Sequence, residues 1–144
     1  MFADFLKRLT APAPTQLPDA DARLALTALL VRVARTDGEY DADEKARIDT
    51  ITATRYRLDA AGVASLRSDA EQLETEAPDT VRFTRAIKDA VAYDDRVGVI
   101  EALWQVALAD GERSDDEDTV LRLVSKLLGV SDRDSALARQ RVTS

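Results

Sequence analysis

The sequence predicts an all-α fold: a single domain of about seven to eight helices with an internal two-fold repeat. Three observations predict it. Ala, Leu, Val, Arg, Asp and Glu dominate the 144 residues, while Gly (5), Pro (4) and aromatic residues (5%) are scarce, a balance that favours helix over sheet. Apolar residues recur at helical spacing, beginning with Phe2, Phe5, Leu6 and Leu9. Sliding the chain on itself by 73 residues lays Arg23–Asp59 over Arg96–Asp132, with ten of 37 positions identical, where ordinary composition gives about two or three.

Taken in order, the elements begin with a short amphipathic helix at Phe2–Leu9, followed by Thr10 to Pro18, whose prolines make an extended linker. Residues 1–18 therefore form an N-terminal helix plus linker, and 19–144 the helical domain, with repeats at about 20–77 and 93–137. Asp19 or Asp21 is placed to cap a long helix through Thr36. A second helix runs from Ala42 to Tyr56 and a third from Asp59 to about Ala77, where Pro78 marks a break. Asp79 or Thr80 opens a helix carrying Val81, Phe83, Ile87 and Val91. Asp94-Asp95 opens one that reaches Ala109. Ser114 starts the next, which stops at Gly129, a natural C-terminal glycine. Ser131 and Asp134 are spaced to cap a last helix with a basic end at Arg139 and Arg141.

The helices at 19–36 and 94–109 are apolar nearly all round, which places both at the centre of the domain. Their repeat positions Leu26/Val99, Leu30/Leu103, Ile48/Leu121 and Ile51/Val124 are candidate core. Trp104 belongs with the core or half-core.

Composition excludes several chemistries. There is no Cys and no His, so thiol redox chemistry, cysteine nucleophiles, His-based acid–base catalysis and the usual Zn, Cu and Ni ligands are all missing. A formal charge of −7 opposes nucleic acid and anionic lipid. No apolar run approaches the ~18 residues of a membrane span, and the charged N-terminus lacks a secretory core. The expectation is a cytoplasmic protein whose partner is another protein, with no nucleic acid, no integral membrane segment and no enzymatic activity.

The chemistry that remains is oxygen-based. Each repeat carries Asp-Gly-Glu, a spacer, then Glu: Asp37-Gly38-Glu39 to Glu44, and Asp110-Gly111-Glu112 to Glu117. A structural reading makes Gly38 and Gly111 helix-ending glycines, with Asp41 and Ser114 as N-caps and Glu44 and Glu117 three residues on. A functional reading makes the carboxylates a weak site for a divalent cation (Ca, Mg or Mn). Glycine-to-glutamate spacing matches a calcium EF-hand loop. Positions one and three, however, are Val33 and Arg35 in one loop and Val106 and Leu108 in the other, so a true EF-hand is excluded. Solvated charge accounts for Glu39, Asp43, Asp115, Asp116 and Asp118 as well as a ligand site does. If the loops bind a cation, Asp37, Glu39, Asp41 and Glu44 form the better site. The second loop has Ser114 in place of Asp41 and carries the competing cation Arg113.

The doubled pattern Ala-x-x-Asp-Gly-Glu-x-x-x-x-Glu, Ala34 to Glu44 and Ala107 to Glu117, resembles the TerB-like tellurite-resistance family over about Ala20 to Leu128. The resemblance implies an all-helical, duplicated fold and an association with tellurite or other stress resistance. It also implies cation binding through Asp37, Glu39, Glu44, Asp110, Glu112 and Glu117. Direct tellurite chemistry does not follow, since an acidic protein repels an oxyanion and the chain has neither thiols nor a nucleotide fingerprint. The functional expectation is a non-enzymatic stress-response module presenting acidic loops to a cation, a protein partner, or both. The alternatives are a membrane-proximal or co-chaperone-like adaptor without metal, and a hydrolase built on paired carboxylates.

Overall fold

The computed structural model describes residues 2–9, 18–36, 40–109 and 115–143, excluding the side chains of residues 8, 36, 105–109, 115–120 and 143. Among the described residues there are eight helices and no strand: α1 (Ala3–Leu9), α2 (Asp19–Thr36), α3 (Ala42–Tyr56), α4 (Ala60–Glu76), α5 (Thr80–Ala90), α6 (Tyr93–Ala109), α7 (Asp115–Leu127) and α8 (Asp132–Thr143). None is long and apolar enough to cross a membrane.

The helix ends follow local chemistry. Asp41 Oδ1 accepts from Glu44 N at 3.0 Å at the start of α3, Asp59 Oδ1 accepts from Gly62 N at 2.8 Å at α4, and Ser131 Oγ accepts from Asp134 N at 3.1 Å at α8. Each satisfies one of the amide donors a helix start leaves open. Two expected caps differ. Pro18 O takes the first bond of α2, from Ala22 N at 2.9 Å, so Asp19 and Asp21 lie in the first turn and act on the helix dipole instead. Asp79 precedes α5 without a side-chain cap bond. At the end of α7, Gly129 has φ +68°. Gly129 N donates to Lys126 O at 3.1 Å and Val130 N to Ser125 O at 2.8 Å, the paired closing bonds of a helix ended by a left-handed residue. Arg57 closes α3 in the same conformation without being glycine, at φ 54°.

The core forms around α2. Residues 25–31 are buried without a break, and the hydroxyl of Thr27 within that run donates to Arg23 O at 2.7 Å, so no polar group is left orphaned. α4 and α5 pack on α2, and α8, α3 and α7 pack on α6. α5 is sharply amphipathic, burying Phe83, Ala86, Ile87 and Ala90 at helical spacing. Phe5 and Leu9 of α1 are also in the core, and α1 rests on α5. The side of α1 that could meet a bilayer is thus turned into the protein.

α6 is more open than its composition suggests. Val99, Ile100, Ala102 and Leu103 are buried, but Val97 and Trp104 are only half-buried, and clefts run along the helix. The two halves share element order and lengths of connection. α2 and α6 end at Thr36 and Ala109, and α3 and α7 begin at Ala42 and Asp115, each 73 residues apart. Leu30 and Leu103 are both buried.

Candidate functional site

The candidate site is the junction at which α2 gives way to α3, with its counterpart between α6 and α7. Of the seven acidic candidates, Asp41 and Glu44 are described in full. Asp41 is the exposed N-cap of α3, and half-buried Glu44 lies in the first turn. Glu117 falls in the first turn of α7, with its side chain outside the described residues. Asp37, Glu39, Asp110 and Glu112 lie outside the described residues altogether. No group of three or more acidic side chains placed to hold a metal occurs among the described residues. The donor set is all carboxylate oxygen, the chemistry of a hard cation. Asp41 spends Oδ1 on its cap bond, and its Oδ2 takes no bond among the described residues.

The frame behind this junction is built from residues that the sequence reading did not single out. Tyr40, directly after Glu39, packs its ring on the core. The Arg35 guanidinium sits 5.1 Å from the ring centroid and Lys45 Nζ 5.2 Å, so two cations bracket one aromatic face system. The phenol oxygen is buried with no hydrogen-bond partner. Burial, with the nearby negative charge of Glu71 behind it, pushes its pKa up to about 12.

Arg35 also pairs with Glu74 of α4, and Arg32, one turn earlier, donates from Nε to Glu74 Oε1 at 2.7 Å. Arg32 then reaches the carbonyls of Glu74, Ala77 and Pro78 and the hydroxyl of Thr80. One guanidinium thus closes the C-terminus of α4, where carbonyls lack helical partners. A neighbouring pair, Arg67 Nε to Asp49 Oδ1 at 2.8 Å, with Arg67 NH1 to Glu71 at 3.2 Å, clamps α3 to α4. The signal for this frame was present in the sequence: Arg32 and Arg35 are two cations three residues apart on an otherwise apolar helix.

The arrangement offers charged anchoring and surface carboxylates on an all-helical body. A family model described as tellurite resistance protein TerB matches residues 23–140 of the chain. With most of its length matched, the chain belongs to the TerB family. No curated protein and no solved structure matches it.

Proposed function

We propose that this TerB-family chain is a non-enzymatic binding module of stress resistance whose acidic loops hold a divalent cation weakly, for presentation to a protein partner. Asp37, Glu39, Asp41 and Glu44 form the stronger site, and Asp110, Glu112 and Glu117 the weaker one. The observation that carries the reading is recurrence. The same Asp-Gly-Glu segment joins equivalent helices twice, 73 residues apart, with more carboxylates than one N-cap needs. Capping uses a single oxygen of Asp41, so the remaining acids are a net repulsion that an ion relieves. With few ligands per loop, affinity falls in the range of ~10⁻⁴–10⁻³ M.

The test compares wild type with Glu39→Gln, which leaves Asp41 and Glu44 in place. Thermal stability of the wild type rises with millimolar Ca²⁺ and that of the variant rises less. An equal rise in both, or none in either, removes the metal from the proposal and leaves the loops as helix junctions.

A further inference from the structure

We propose that the cleft between α6, α7 and α8 binds a short acidic segment of a partner protein, with Arg122 and Arg139 taking its carboxylates and Trp104 its apolar side chain. The cleft, about 410 Å³, is lined by Trp104, Arg122, Ser125, Asp132, Ser135 and Arg139, with Ala136 completing the wall. Its lining on α8 falls at helical spacing, so one face of that helix is given to it.

The chemistry of the cleft is specific. Trp104 Nε1 donates to Ser135 Oγ at 3.1 Å, which satisfies the indole's one polar atom and leaves its ring as apolar surface. The Arg139 guanidinium lies 5.3 Å from the ring centroid, a stacked position from which a planar fork can still meet a carboxylate. Ser125 Oγ donates to the same Ser135 oxygen at 3.4 Å. Ser135 therefore accepts twice, and its own hydroxyl hydrogen is left for an acceptor in the cleft. In the first half of the chain the position matching Trp104 is Val31, which is completely buried; the half-exposed aromatic is a departure from the repeat.

Charge complementarity selects the occupant. From 121 to 143 the chain carries Arg122, Lys126, Arg133, Arg139 and Arg141 against Asp132 and Asp134, a net of +3 in a chain of −7. The overall negative charge does not forbid an acidic ligand, because exposed charges beyond about 10 Å are screened at 0.1 M salt. Exposed Leu123 and Leu137 beside the cleft residues add apolar contact. The larger polar cleft against Arg55 is different: Arg55, Arg57 and Arg141 are matched there by Asp94, Glu101 and Asp134, and nothing in that balance selects a ligand.

Trp104 is the chain's one tryptophan and reports directly. The probe is the blocked peptide Glu-Glu-Leu-Glu-Glu, titrated into the full chain at low salt and read by tryptophan fluorescence and by calorimetry. Saturable binding is expected, weakening with added NaCl and falling about tenfold in Arg122→Gln and in Arg139→Gln. Arg85→Gln, on exposed α5, binds as wild type, and circular dichroism verifies that each variant is folded. Equal binding of the Gln-Gln-Leu-Gln-Gln peptide overturns the proposal, as does wild-type affinity in both cleft variants. Saturation of the same fluorescence change by inorganic phosphate or acetate also overturns it, since the cleft is then a small-anion site.

Discussion

At the scale of single residues, burial decides what each position contributes. Leu30 and Leu103 occupy the same repeat position on α2 and α6, at 6% and 9% exposure. Replacing either with Ala is expected to cost about 2–5 kcal/mol, with Leu103 nearer the lower figure because α6 is the more open helix. Urea midpoints measure this, and a loss under about half a kcal/mol at either site contradicts its core placement. The two buried phenols give a pH signature. Tyr56 and Tyr40 are both pushed up from 10.0 to about 12, mainly by burial, and neither hydroxyl has a hydrogen-bond partner among the described residues. The unfolded chain ionises its tyrosines near 10, so it releases protons first as pH climbs. The stability the neutral phenols hold is complete below pH 10 and drains away as pH rises through 12. Urea midpoints should fall across that window, and Tyr56→Phe and Tyr40→Phe should each flatten the fall. If both variants lose stability as steeply as wild type, some other group governs alkaline unfolding.

At the scale of elements, the charged frame between α2 and α4 matters more than any surface ion pair. Glu74 is 8% exposed and accepts from both Arg32 and Arg35. Glu74→Ala leaves Arg32 half-partnered in a site that is mostly out of water, and the expected loss is about 3 kcal/mol. Arg35 is 32% exposed and can turn to solvent, so Arg35→Ala should cost clearly less. Equal losses in the two variants, measured by urea unfolding, would show that Glu74 does not act as the shared anchor. Most of these helices were legible in the sequence. α3 spans Ala42–Tyr56 as read, Asp41 and Asp59 are its cap and that of α4, and Gly129 adopts the left-handed end that its position after an apolar helix required. The start of α2 was not legible in the same way, because a proline carbonyl does the work assigned to an aspartate side chain. Nor was the Arg32–Glu74 contact, which joins residues 42 apart in the chain and leaves no local pattern. Of the seven acidic site residues, the sequence identified the Asp41 and Glu44 pair as a helix start, and that is their geometry.

At the scale of the whole molecule, the duplication in sequence does not make two independent bodies. Arg23 and Arg96 are an identical repeat pair, and each reaches the end of the helix that follows its own. Arg96 NH1 donates to Leu128 O at 2.6 Å after α7, while the Arg23 guanidinium lies 4.9 Å from the ring centroid of Tyr56, at the end of α3. Those contacts act within each half. Across the halves, α3 packs on α6, α2 meets α6, and α5 touches α7, so the apolar face of each half is completed by the other. Arg55 of α3 lies so close to Gly98 of α6 that a Cβ there would come within 2.4 Å of its Nε, and helices in that contact cannot separate without exposing both. Domains of this size with one shared core unfold as a single unit. Trp104 sits in the second half and reports on it alone, whereas far-ultraviolet dichroism reports on helices throughout. The two probes should therefore give superimposable urea transitions with one midpoint. Substituting Leu30, in the first half, should shift the Trp104 transition by as much as the dichroism one. A fluorescence transition that stays at the wild-type midpoint while dichroism moves would mean that the halves unfold separately, and that the contacts of α3 and α2 with α6 contribute little to holding them together.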